Sequence, residues 1–143
     1  MSLLRQPLLL LARSGAVKSV VSTMPVSSGI VHSYVPGETT QAAVDATADL
    51  EAEGLKVTLD FLGEDTLDAA QAQATVDAYV ELLGALGAQG LAHGAEVSVK
   101  LSAVGQALPE GGHGIALEHA RTICRAARNA GPTVTPHRAA HTT

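Results

Sequence analysis

The chain has 143 residues, a net charge of −5, one cysteine and no tryptophan, with 46% hydrophobic and only 2% aromatic residues. That is room for one domain with a core of Ala, Val, Leu and Ile. The acidic balance, without a basic patch interleaved with aromatics, argues against a nucleic-acid partner, and a lone Cys124 excludes an internal disulfide.

The first segment carries Arg5, Arg13 and Lys18 and no acid before Glu38. Such a profile reads either as a transit peptide or as helical structure of the mature protein. The apolar run over residues 8–12 is too short for a stable membrane span. A cytoplasmic protein is the default, with peripheral attachment at the inner membrane as a variant of it.

From Glu38 the elements alternate. Ala43, Val44, Thr47 and Leu50 form one helical stripe, and Gly54 is a stop for it. Val57, Leu59 and Phe61 then alternate with Thr58 and Asp60, the pattern of a half-buried strand. Val76, Tyr79, Val80, Leu83 and Leu86 follow the helical rule, with Asp65 or Thr66 as a cap and Gly90 as a stop. Val97, Val99 and Leu101 alternate with Ser98, Lys100 and Ser102. After the glycine-rich loop GQALPEGGHG, a third helix runs from about Ile115 to Asn129, with Ala116, Ala120, Ile123, Cys124 and Ala127 on one face. Cys124 reads there as a buried, inert thiol. Gly131 stops that helix and Thr133 opens a third strand.

The strands recur at intervals of 40 and 37 positions, from Val57 to Val97 to Val134, which predicts βαβ units and a parallel sheet. Each strand keeps one polar face: Thr58 and Asp60, then Ser98, Lys100 and Ser102, then Thr133, Thr135 and His137. Central strands of a doubly wound sheet are apolar on both faces. A (β/α) barrel, with helices outside and a polar lumen, accounts for the pattern, and the edge of an open sheet is the alternative. In the barrel reading Lys100 faces the lumen near Asp60. In the other it stands on a wet edge.

The stretches LDFLGED and EVSVKLSAVGQ, with the late VT…HTT, resemble the first part of the flavin-dependent proline dehydrogenase barrel. The upstream YVPGETTQAAVDAT is similar to the helix that precedes the barrel in bacterial, single-function members of that family. The resemblance runs from about residue 5 to residue 143 and implies an α/β fold: N-terminal helices over residues 1–54, then the first three strand–helix units of a (β/α)8 barrel over residues 55–143. It implies oxidation of L-proline to pyrroline-5-carboxylate, with FAD as hydride acceptor and a quinone-type electron acceptor beyond it. The flavin carries the redox chemistry and the protein orients the substrate. Lys100 matches the lysine that binds the proline carboxylate. Glu64 matches an acid that pairs with a substrate-binding arginine and gates the site. Asp60 matches an acid on the first strand that supports the pocket.

Departures from the family pattern are local and clear. Leu-Asp-Met-Glu-Asp is usual before HTT, whereas Pro136, His137, Arg138, Ala139 and Ala140 stand here. His137 falls at the family's aspartate and Arg138 at a flavin-contacting methionine. A (β/α)8 barrel typically takes ~250 residues, so the resemblance implies a truncated barrel, inactive as an isolated chain. An open parallel edge would also invite self-association.

Other signals are weaker. His137 and His141 have the i, i+4 spacing of HExxH, but Arg138 holds the Glu position, so no metal site is expected. His113 and His119 read as surface residues, and the glycine-rich loop lacks a phosphate-binding pattern. Two other functions remain open at this point. One is a barrel aldolase with Lys100 as a Schiff base. The other is a non-catalytic barrel fragment that self-associates.

Overall fold

The computed structural model describes Gly37, residues 39–61 and residues 66–137. The basic N-terminal segment, Glu64, Asp65, Arg138 and His141 lie outside the described residues. The described elements are α1 (Thr40–Ala52), β1 (Val57–Asp60), α2 (Ala69–Ala88), β2 (Ala95–Lys100), a single 3-10 turn (Leu101–Val104), α3 (Gly112–Ala130) and β3 (Thr133–His137).

The helices start and stop where short polar side chains and glycine allow. Thr39 caps α1 by accepting from the Ala42 amide at 3.2 Å. The cap of α2 is Asp68, which accepts from the Ala70 amide at 2.7 Å. Thr66, one of the two expected caps, does not cap it, because it is buried and bonded elsewhere. α3 begins three residues before the expected Ile115, inside the glycine-rich loop.

The three strands form one parallel sheet in the order β1-β2-β3. Consecutive parallel strands that are neighbours need a crossover each, and α2 and α3 supply them. Both helices join one hydrophobic core with the apolar side of the sheet. Val76, Tyr79, Leu83 and Leu86 of α2 and Ala116, Ile123 and Ala127 of α3 pack with Ala95, Val97 and Val99 of β2. Val44 of α1 joins the same core. Helices therefore cover one face of the sheet, as the one-sided strand patterns anticipate.

α2 and α3 approach closely at their C-terminal ends. A Cβ on Gly87 would sit 2.8 Å from the Ala130 carbonyl oxygen, so this contact requires glycine. Four residues fall off their expected faces. Leu50 and Val80 are exposed at the margins of their stripes, and Phe61 is exposed just beyond the end of β1. Cys124 is exposed too, so it is no part of the core. It adjoins Ile123, but one step of about 100° around the helix carries it out of the apolar stripe.

β3 has β2 as its partner among the described residues. Pro136 lies in β3 opposite Val99, a placement that an edge strand tolerates because a proline lacks the amide donor. In hydrogen exchange the amides of residues 97–99, buried and flanked on both sides, should be the slowest in the sheet. Those of β3 should exchange faster, and equal protection would mean that another strand covers the outer edge of β3.

Candidate functional site

Asp60, Lys100 and His137 are the last residues of β1, β2 and β3. In a parallel sheet those ends lie on one side, where open and closed α/β sheets place their ligands. The register sets the rows of the polar face. Thr58, Glu96 and Thr133 align, then Asp60, Ser98 and Thr135, then Lys100 with His137. A one-residue slip in any strand would send these side chains to the helix side.

The Lys100 ammonium stands 3.9 Å from Asp60 Oδ2, with side-chain exposures of 54% and 35%. This long, half-solvated pair is a weak ion pair. Among the described residues it leaves ammonium donors free for an anion while keeping a carboxylate beside them. One row down, the Thr133 hydroxyl lies 3.4 Å from Glu96 Oε2. Among the described residues no cluster of His, Cys, Asp and Glu could hold a metal ion.

β2 ends sharply after Lys100. Residues 101–104 coil into the 3-10 turn, and Gly105 follows with φ +112°, a conformation that glycine adopts without strain. Ser102 therefore does not continue the polar face of the strand. It is buried in the turn, where its carbonyl accepts from both the Thr66 amide and the Thr66 hydroxyl at 3.2 Å. Thr66 thereby fastens the end of the β1–α2 connection to the turn that follows Lys100. On the other side, the His119 ring lies 2.8 Å from the Val104 carbonyl through Nδ1. His119 is half-buried with a structural partner, not the surface residue its spacing implies, whereas His113 is exposed.

A phenol supplies the contact that strand patterns do not announce. Tyr79, 1% exposed on the apolar side of α2, reaches the C-terminal ends of β1 and β2. Its hydroxyl donates to the Ser98 carbonyl at 2.8 Å, lies 3.3 Å from Asp60 Oδ1 and accepts from the Phe61 amide at 3.2 Å. Burial pushes its pKa up from 10.0 to about 12, with the nearby Asp60 charge adding to the rise, so the hydroxyl keeps its proton. The sequence signal for this role is a phenol inside an otherwise aliphatic helical stripe, since a buried Tyr hydroxyl needs a partner.

Lys100, Asp60 and His137 are thus gathered at one end of the sheet, while Glu64 and Arg138 lie outside the described residues. A concavity of about 400 Å³ between α2 and α3, lined by Val80, Gly84, Gly87 and Ala130 among others, carries no charged group and is separate from this site. No described helix is long and apolar enough to cross a membrane.

A family profile described as proline dehydrogenase matches residues 43–136. The match stops one residue short of His137. The chain is 36% identical over 98 residues to the proline dehydrogenase of Deinococcus radiodurans, which covers 68% of this chain and 31% of that protein. It is 37% identical over 75 residues to the bifunctional protein PutA of Klebsiella aerogenes, covering 50% of this chain and 6% of that protein. The same figures hold for PutA of Escherichia coli. The chain therefore spans about a third of the length of the first relative and a small part of the other two.

Proposed function

This chain belongs to the proline dehydrogenase family, and we propose that it supplies the substrate-carboxylate end of an L-proline-oxidising (β/α) barrel. The observation that carries the reading is the position of Lys100. It ends the middle strand on the face without helices, with its ammonium 3.9 Å from Asp60. In this reading the Lys100 ammonium holds the proline carboxylate as a compact positive charge. Asp60 balances that charge and fixes where the ammonium stands. Helices on one face and strands in simple sequence order support a barrel over an open doubly wound sheet, because the polar face then becomes a lumen.

FAD is the cofactor implied by the family resemblance, and it supplies the redox chemistry when bound. The described residues do not form a site for it on their own. Among them, the one buried side-chain oxygen without a partner is Glu51 Oε1, which lies against Gly94 ahead of β2, at the far end of the sheet from Lys100. The glycines of the 105–114 loop make no cradle either. Gly112 is filled by the Gln106 and Gly105 carbonyls, and a Cβ on Gly111 or Gly114 would meet nothing within 4 Å. No step is therefore assigned through FAD or a quinone. What these residues do is bind and orient a carboxylate. Lys100 is half exposed and acid-paired, which is not the desolvated setting that activates a Schiff-base lysine.

A chimera tests the reading. Residues 43–136 replace the matching stretch of the Deinococcus radiodurans relative, and proline-dependent dye reduction is recorded. The chimera should turn over, and Lys100→Ala within it should raise KM for proline by roughly 10- to 150-fold, the loss of one charge-assisted contact. An unchanged KM would remove Lys100 from the substrate site.

A further inference from the structure

Two features of the Lys100–Asp60 pair call for a common cause. The carboxylate is only a third exposed and lies on the strand next to a flexible ammonium, yet the two stop at 3.9 Å and do not close to a tight pair. The other oxygen of the same carboxylate, Oδ1, is 3.3 Å from the Tyr79 hydroxyl. That hydroxyl is itself held from two sides, by the Ser98 carbonyl at 2.8 Å and the Phe61 amide at 3.2 Å. Ser98 is the register partner of Asp60, so the phenol sits across the seam of β1 and β2.

The geometry points to Tyr79 as a positioning residue that acts through Asp60 on Lys100. By holding Oδ1, it keeps the carboxylate from swinging fully onto the ammonium and so leaves Lys100 free for an external carboxylate. The phenol does not touch the open face itself, being almost wholly buried behind the sheet. The neighbouring Phe61 ring, tilted 58° with centroids 6.0 Å apart, packs against Tyr79 and limits its rotation. A hydroxyl has one proton, and the shorter contact to the Ser98 carbonyl takes the larger share of it. Asp60 receives the weaker branch, which suits a restraint rather than a lock. The assignment of the external ligand as a carboxylate rests on the proposed function, whereas the arrangement of Tyr79, Asp60 and Lys100 does not.

Competitive acylation of lysines in the full chain, read by mass spectrometry, tests this directly. Lys56 is exposed and serves as the internal reference. In Tyr79→Phe the released carboxylate should close on the ammonium and lower the Lys100 rate relative to Lys56. The expected fall is roughly two- to fivefold, the range of an exposed ion pair. In an Asp60→Asn background the same Tyr79→Phe change should have no effect, which a purely structural role for Tyr79 would not produce. An unchanged Lys100 rate in Tyr79→Phe, or an equal fall in the Asp60→Asn background, overturns the proposal.

L-Proline should also protect Lys100 of the parent chain from acylation, and protect it less in Tyr79→Phe. Failure of protection in the parent chain counts against the proposed function and leaves the Tyr79 comparison standing. Should Tyr79→Phe fail to fold, global 3-fluorotyrosine labelling replaces it. The chain has two tyrosines, so two ¹⁹F signals are expected. The Tyr79 signal must shift in Asp60→Asn, and a fixed signal overturns the proposal.

Discussion

Replacing Leu83 with alanine should cost about 3–5 kcal/mol of folding stability, the range for a fully buried leucine whose cavity cannot collapse. Leu83 has 0% exposure and belongs to the core formed by α2, α3 and the apolar side of the sheet. Its neighbours are themselves held in place. Gly87, one turn further along α2, is pressed against Ala130 of α3, and Val97 and Val99 are fixed by strand pairing on both sides. Little can move in to fill the space. Typical domains have about 5–15 kcal/mol in total, so one such change removes a large fraction of the stability. Urea unfolding with circular dichroism would measure it. Leu117→Ala on the exposed side of α3 is the control, with an expected change within about 0.5 kcal/mol. A cost near that of the control would mean that the helix layer is not packed on the sheet as described.

At high pH, stability should fall by about 2 kcal/mol between pH 10 and pH 12 because of Tyr79. Burial is the main cause, and it raises the folded-state pKa above the value of an unfolded tyrosine, from 10.0 to about 12. Below pH 10 the phenol is protonated in both states and its contribution is fully present. Above that the unfolded chain releases the proton first, so stability drains away as pH rises through the folded value. Denaturant unfolding at pH 8, 10 and 12 should show the drop, and Tyr79→Phe should flatten it. Other groups also titrate in this range, so the difference between the two chains is the quantity to read. Tyr79→Phe should itself cost about 1–3 kcal/mol at neutral pH, since it strips a donor from the buried Ser98 carbonyl. A parent chain and a Tyr79→Phe variant with the same alkaline profile would contradict the buried, bonded phenol.

How legible the site was depended on the range of the physics involved. Lys100 could be placed on a polar strand face from its own neighbours, because alternate side chains of a strand point to opposite faces. The same reasoning overran by two residues at Ser102. The chain leaves the strand after Lys100 and coils into a 3-10 turn, where the period of two no longer holds. Cys124 failed in a similar way. A helical stripe marks a face but not its margin, and the margin is drawn by which neighbouring element is present. Thr66 looked like a cap because threonine caps helices. Its hydroxyl instead meets Ser102, 36 residues away, a partner no local pattern contains.

By itself the sequence determined the order of strands and helices, their parallel arrangement and the division of each strand into an apolar and a polar face. These follow from side-chain period, caps, glycine stops and the spacing of the units, all of which act over a few turns of chain. Tertiary structure alone decided that Asp60, Ser98 and Thr135 share a row, that the Lys100 ammonium stops 3.9 Å from Asp60, and that Tyr79 joins Asp60 to Ser98. Those contacts depend on strand register. Register is set by how α2 and α3 seat their apolar stripes on the sheet, where a shift of one residue would turn every polar side chain into the core.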